Sequence, residues 1–551
     1  MQLLHHQFSR IFIGFENLVS RRKPVHRCIV ILGMIMICVS SIILGDQSSW
    51  ITRAIKFLAC PIVFLYLSAV AAGDGQREGE INPAFYRSAI FAVSLIYLGC
   101  IYSLEWMKFE AANYEFFDFG LYANRILRLS QSNFFDALEI ANREGHFQPI
   151  LLFFWAFGLV SPEKILLVGT IVIVSSVVPI IGISKCLGLQ RKIGLYAILI
   201  YLVYPPVSFV NILGFHPEVF LITFYLFLFY FFEIKKFKFS LFVSGLIFCC
   251  GEQYLPSLIL VWALLGFNYF GVKRAMLVTL FILLSCTLLF LCASSMQFKN
   301  DVTFNLANAG SPYSYLSMKA DPEVFFRQFD APRKIVFLAL LFGPFIWIFD
   351  WRVLSVGAFE LLKLLLSSER YHFSLEGHYT VVLIPVIIFS LLKGIEKFPI
   401  GQRFLNLKNS LAIVVGLSFG HSALPGTLNF WTNWSAGTYN VAKYQSSERE
   451  EELDELVALM DLEDRPLVLV TNGVVNKKLV KNSTLRFLHV GEKFELAKYA
   501  IAEESDLPLG AGGHSAETSY NGFLSGFRAQ PENKGFFVKH KGDFFILLER
   551  K

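Results

Sequence analysis

The chain has 551 residues, of which 55% are hydrophobic, 16% aromatic and 17% charged. A charged share this far below the roughly 25% of soluble domains, with a mean hydropathy of +0.53, excludes an ordinary soluble protein and indicates an all-α polytopic membrane protein. The formal charge of +6 is small for the size and concentrated in short loops, where it sets topology, so no nucleic acid is expected as a partner.

In chain order, Arg10, Arg21, Arg22, Lys23 and Arg27 precede the first apolar run, "CIVILGMIMICVSSIILG". The run lacks a small-residue cleavage site and reads as a retained helix, with the N-terminus in the cytoplasm. Candidate spans follow at 28–45, 54–73, 88–104, 163–184, 193–210, 219–233, 239–254, 255–272, 275–295, 333–350, 353–367, 379–394 and 409–428. With about thirteen transmembrane helices, the basic clusters "LQRK" (189–192), "KKFK" (235–238), "KR" (273–274) and "KFPIGQRFLNLK" (397–408) all fall inside. The stretch "PILLFFWAFGLV" (149–160) is too short to cross and reads as a half-buried or interfacial helix. All nine cysteines lie in or beside apolar segments, so disulfides and a cysteine metal site are not expected. Adjacent Cys249 and Cys250 read as buried small residues.

This count places four polar stretches on the opposite, extracytoplasmic side: the long loop 105–148, "GFHPE" (214–218), "CCGEQYLP" (249–256) and "SSERYHFSLEGHY" (367–379), which holds Tyr371, His372 and His378. In the loop, Glu115 and Asp118 are three residues apart and would share a helix face among Phe116, Phe117 and Phe119. A carboxylate beside apolar rings has a raised proton affinity and suits a general base. Asp118 is equally placed to cap the helix "FGLYANRILRL". Arg125, Arg128 and Arg143 could hold the phosphate of a lipid-linked substrate or anchor the loop to membrane lipid headgroups. His146, His216, Glu218, Glu252 and His378 could bind a divalent metal ion, relay protons or hold sugar hydroxyls. His216 could also serve only to close a proline-broken helix end. No ligand spacing of the HExxH kind selects metal, and ionisable groups at membrane depth read as functional by default.

Beyond residue 430 the apolar runs stop. "SSEREEELDELVALM" is an acidic amphipathic helix, "PLVLVT" and "TLRFLHV" read as strands, and "GFFVKHKGDFFILLER" as a terminal hairpin. "LGAGGH" (509–514) reads as a flexible linker. The expected domains are thus 1–87, an N-terminal cytoplasmic segment with two additional transmembrane helices; 88–430, the main membrane domain; and 431–551, a small extracytoplasmic α/β domain.

The order "FDFGLY", "HFQP", "YPP", "FHPE", "GEQ" and "EGHYTVVLIPVIIF", with the strand-like "RPLVLVTNGVV", resembles the DUF2079 family of predicted polytopic membrane proteins over roughly residues 88–480. That family in turn resembles the GT-C glycosyltransferases, which use polyprenyl-phosphate sugars as donors. The resemblance implies a GT-C-like membrane domain in which Asp118 is the acid of the first external loop. His146 and Pro149 would form the re-entry motif, and His216 with Glu218 the later external site. It further implies an inverting transfer of sugar to a glycan, lipid or protein acceptor, by a protein of the plasma (inner) membrane, with a divalent metal ion left open as cofactor. A transporter or flippase of a lipid-linked glycan or small solute is the rival expectation, and a non-catalytic assembly factor the third. An odd number of crossings predicts that a C-terminal alkaline phosphatase fusion is active. An inactive phosphatase, with a fluorescent cytoplasmic reporter at the same position, would reverse the orientation.

Overall fold

The computed structural model describes residues 83–110, 118–143, 148–212, 214–297, 349–366, 378–397, 448–470, 477–487, 496–503 and 535–550, with a few positions between 334 and 341. The spans expected at 28–45, 54–73 and 409–428, and most of 333–350, lie outside the described residues. Two helices, Pro83–Glu110 and Pro162–Cys186, are each long and apolar enough to cross a membrane. Arg191–Val203 and Pro206–Ile212 make a third if taken as one span bent by 47°. The bend falls at "YPP", where proline restricts the residue before it and removes backbone donors. Val219–Glu233, Phe237–Phe248 and Leu255–Phe270 are apolar but shorter. At 1.5 Å per residue, Val219–Glu233 reaches about 22 Å, short of a hydrocarbon core of about 30 Å. The described residues therefore do not reach the expected count of thirteen. The piece 149–160 holds only a 3-10 turn, Pro149–Leu151, and the short helix Leu152–Ala156, with Phe154 buried and Phe157 exposed.

Helix packing follows membrane logic. Val272–Gln297 exposes Val272, Met276, Leu277, Leu280, Phe281, Leu284 and Leu288 along its length, a face that lipid solvates as well as protein does. Inside the bundle, hydroxyl and indole groups bond between helices: Tyr201 Oη donates to the Ile173 carbonyl at 3.0 Å and Trp262 Nε1 to Ser244 Oγ at 2.9 Å. Ser176 and Thr223 share a hydrogen bond of 2.7 Å. These bonds satisfy polar atoms for which lipid offers no partner.

The bundle has two unlike ends. Val219–Glu233 starts at the "GFHPE" turn and finishes at Glu233, which meets Tyr269 and, at 3.1 Å, Lys393. Lys397 pairs with Asp350, whose carboxylate also caps the helix Trp351–Leu354. One end is thus laced by ion pairs between short loops. The other gathers the turns at Phe215–Glu218, Gly251–Tyr254 and His378–Thr380. Gly214 has φ +89°, a left-handed conformation that lets the chain reverse before His216.

The C-terminal unit is a five-stranded sheet in the order β2-β1-β3-β5-β4. β1 (Leu467–Val470) runs parallel to β2 (Thr484–Phe487) and β3 (Tyr499–Glu503), and β5 (Phe545–Arg550) runs antiparallel to β3 and to β4 (Phe536–Lys541). The expected strands and hairpin are present, with the acidic helix at Glu448–Ala458. β3 was not expected from the sequence, and it joins the parallel half of the sheet to the hairpin. Glu452 ties the helix to the hairpin turn: its carboxylate accepts from the amides of Asp543 at 2.9 Å, Phe544 at 3.0 Å and Phe545 at 2.7 Å. Apolar residues of this unit, among them Leu453, Val468 and Phe545, belong to the same contiguous core as the membrane helices.

Replacing Glu452 with Ala strands three amides and is expected to cost about 2 kcal/mol of local stability. Hydrogen exchange of the full chain should show it as faster exchange at 536–550. Unchanged exchange there would remove Glu452 as the anchor of the turn.

Candidate functional site

The loop helix Asp118–Ser130 is only 13 residues long, too short to be stable in water by propensity alone. It is held by packing of Phe119, Ala123, Ile126 and Leu129, all fully buried. Phe119 meets Phe109 edge-on at 5.5 Å, which ties the helix to the end of Pro83–Glu110. Tyr122 and Arg125, three residues apart, share a face.

From that face a buried polar chain runs through three segments. Arg125, 3% exposed, donates from Nε to the Ile140 carbonyl at 3.0 Å and from Nη1 to Gln148 Oε1 at 3.1 Å. Gln148, 0% exposed, donates from Nε2 to Tyr122 Oη and to Glu218 Oε1, both at 3.3 Å. The other oxygen of Glu218 lies 3.9 Å from His216 Nδ1, and both residues are 2% exposed. The chemistry requires this orientation of the amide: its oxygen faces a donor-only guanidinium and its nitrogen an acceptor-only carboxylate. Glu218 precedes Val219–Glu233 as its N-cap without capping it by side chain, so the carboxylate faces Gln148 instead. The Tyr122 ring lies 5.6 Å from the His216 ring. The Ile150 amide donates to the Cys249 carbonyl at 3.0 Å, docking the turn Pro149–Leu151 onto the "CCGEQ" junction.

The polar zone continues beyond Glu218. Tyr254 lies within electrostatic reach of both Glu218 and Glu360. Lys363 Nζ sits 5.4 Å from the centre of the Tyr254 ring and 2.5 Å from Glu360 Oε2, and Ser257 donates to Glu360 Oε1 at 2.6 Å. A further buried group lies on Pro83–Glu110, where Thr170 Oγ1 donates to Glu105 Oε2 at 2.7 Å and Lys108 is fully buried one turn on. Glu360 with Lys363, and Glu105 with Lys108, each set a buried charge beside one of opposite sign, the usual condition for keeping ionised groups in a low-dielectric core.

Of the residues singled out in the sequence, Arg125, His216 and Glu218 come together. Arg128 lies half-buried in the last turn of the loop helix. Asp118 begins that helix, Arg143 ends Phe134–Arg143, Glu252 begins the turn Glu252–Tyr254, and His378 begins the turn His378–Thr380, which packs on Pro205–Ile212. The side chains of these four, and Glu115, His146, Tyr371 and His372 altogether, lie outside the described residues. Among the described residues no three His, Cys, Asp or Glu side chains form a metal-binding group. Tyr122, Gln148, Tyr254, Glu360 and Lys363 were not anticipated. Gln148 had a signal, since it is the middle of "FQP" at the re-entry point, and the Glu360–Lys363 pair had one as two charges a turn apart in an apolar run.

Fold and site together define a helical membrane protein that gathers polar side chains at one end of its bundle, beneath a loop helix and beside a small α/β unit. The chain belongs to the family described as predicted membrane protein DUF2079, whose family model matches residues 112–460. No curated protein matches the sequence. Among solved structures, the chain is similar to ArnT from Cupriavidus metallidurans bound to undecaprenyl phosphate, at 11% sequence identity and a TM-score of 0.45. That similarity covers 85% of this chain and 98% of that one.

Gln148→Leu removes the bridge and leaves Arg125 and Glu218 buried with one partner fewer each. A loss of about 2–4 kcal/mol is expected, read as a lowered melting temperature in nanodiscs. A melting temperature equal to that of the parent would mean the two charges do not depend on the bridge.

Proposed function

We propose that the protein is a GT-C-like membrane glycosyltransferase that moves a sugar from a polyprenyl-phosphate donor to an extracytoplasmic glycan, lipid or protein acceptor. The observation that carries this reading is the buried chain Arg125–Gln148–Glu218–His216, which joins the loop helix beginning at Asp118 to the re-entry segment and to the "GFHPE" turn. Those are the three places where the GT-C pattern in the sequence puts its loop acid, its re-entry motif and its later polar site.

In this reading Asp118, with Glu115 nearby in the chain, takes the proton of the acceptor hydroxyl as its oxygen attacks the anomeric carbon. The bond to the phosphate oxygen breaks, polyprenyl phosphate leaves with the electron pair, and the configuration inverts. The inward-turned fork of Arg125 is occupied by Gln148 and the Ile140 carbonyl, so holding the donor phosphate falls to Arg128 and Arg143. His216 and Glu218, with His146, Glu252 and the Tyr371–His378 segment, face the sugar and the acceptor. A divalent metal ion would find His216 and Glu218 adjacent, two donors towards a set that the neighbouring turns would complete.

The transporter or flippase reading is favoured by one observation, the buried Glu105–Lys108 pair within Pro83–Glu110. Tyr97 lies a few turns deeper in the same helix, beside Ser208 and Asn211. Polar groups at that depth are what a translocation path needs.

Asp118→Asn separates the two. Asparagine keeps the volume and the capping ability and removes the base. Sugar transfer from a panel of polyprenyl-phosphate donors should fall roughly 10²- to 10⁴-fold at equal yield and melting temperature. Retained transfer would take Asp118 out of the mechanism, and absence of transfer by the parent with every donor would leave the transporter reading.

A further inference from the structure

Neighbouring residues on the loop helix make contacts in two directions. Asn124, 1% exposed, donates from Nδ2 to the Ser483 carbonyl at 2.6 Å and to the Val480 carbonyl at 3.0 Å, and its Oδ1 accepts from the Leu485 amide at 3.2 Å. Arg125 follows, about 100° around the helix, and leads inward to Gln148 and Glu218. The first set of bonds spans about two thirds of the chain length. It uses both amide donors and the acceptor of one side chain.

The partners of Asn124 explain why this contact is specific. Val480 and Ser483 lie at the end of the helix Lys477–Asn482, where the last carbonyls have no partner within their own helix. Leu485 lies in β2, one of the two edge strands of the sheet. Asn124 therefore caps a helix of the α/β unit from outside and joins it to the neighbouring strand. No apolar residue of the same size could do this, and Asp would set a charge against two carbonyls. The loop helix, which cannot hold itself by propensity, is thus pinned on one side by the α/β unit and on the other by Tyr122 and Arg125.

We propose that Asn124 is a positioning residue, through which the C-terminal α/β unit holds the loop helix in the register that delivers Arg125 to Gln148 and Glu218. The α/β unit is then a brace for the buried site. Anything that shifts its Lys477–Phe487 edge shifts the Arg125 fork with it. The coupling is mechanical: the helix turns as a rigid element, and a displacement of an ångström or so breaks hydrogen bonds that already span 3.1 and 3.3 Å.

The test uses the full chain in nanodiscs and has two parts. In Asn124→Leu, backbone hydrogen exchange should rise by about tenfold or more at 118–130 and also at 148–151 and 216–221, segments that Asn124 does not touch. Faster exchange confined to 118–130 and 477–487 would overturn the proposal, because the brace would then stop at the loop helix. The second part rests on the glycosyltransferase reading and uses undecaprenyl phosphate as the probe. Because Arg128 rides on the same helix, loss of either tether displaces it: Asn124→Leu and Arg125→Met should each weaken binding by roughly 5- to 20-fold, and the double variant should be no weaker than Arg125→Met. Additive losses would show that Asn124 does not act through Arg125. Absence of binding by the parent would sink the donor assignment and leave the exchange result to decide the brace.

Discussion

The amide of Gln148 lets two opposite charges be buried together at one end of this bundle. Arg125 and Glu218 stand on segments almost a hundred residues apart, and each would be costly in an apolar interior without a partner. A direct pair would need the loop helix and the "GFHPE" turn in contact. The amide instead presents an acceptor to the cation and a donor to the anion, so the charges compensate across a gap filled by the re-entry segment. Placement of the loop helix, the re-entry turn and the start of Val219–Glu233 all follow from meeting at this side chain.

The two ends of the bundle solve the charge problem differently, and the difference shows where chemistry is to be sought. At the other end, Glu233 pairs directly with Lys393 and Asp350 with Lys397, whose ammonium reaches solvent; these direct pairs tie helix ends together. At the site end, Arg125, His216, Glu218 and Glu360 are almost wholly buried; Arg125 and Glu218 are joined through the neutral amide of Gln148, and Glu360 is held by Ser257 as well as by Lys363. Burial of that kind costs stability and is retained where orientation of the groups matters more than its cost.

Three residues of the buried chain, Arg125, His216 and Glu218, were legible before the fold. Short polar motifs interrupting apolar runs mark places where the chain must turn, and the turns at 215–218, 251–254 and 378–380 gather at one end of the bundle. His216 and Glu218 do meet the first loop through its Arg125. The strands "LVLV" and "TLRF" and the terminal hairpin were legible from β-branched and aromatic runs broken at turns. β3 was not: "YAIAE" alternates alanine with one isoleucine and ends in acid, so it has little strand propensity of its own and is a strand because β1 and β5 flank it. Glu105, Lys108, Glu360 and Lys363 were passed over for a related reason, because a hydropathy window averages one or two charges away in an apolar run.

Composition and pattern alone mark this chain as a membrane protein, put its polar motifs at helix ends, place an α/β unit after the helices, and give the motif order of its family. Those properties follow from local composition and from the period of apolar residues, which neighbouring side chains along the chain suffice to express. It is the packed fold that makes Gln148 the bridge, turns Glu218 towards it rather than towards its own helix end, and ties Asn124 to residues about 360 positions later. Those are hydrogen bonds between segments remote in sequence. Their partners are chosen by which groups burial leaves unsatisfied once the helices have packed, and no local pattern records that choice.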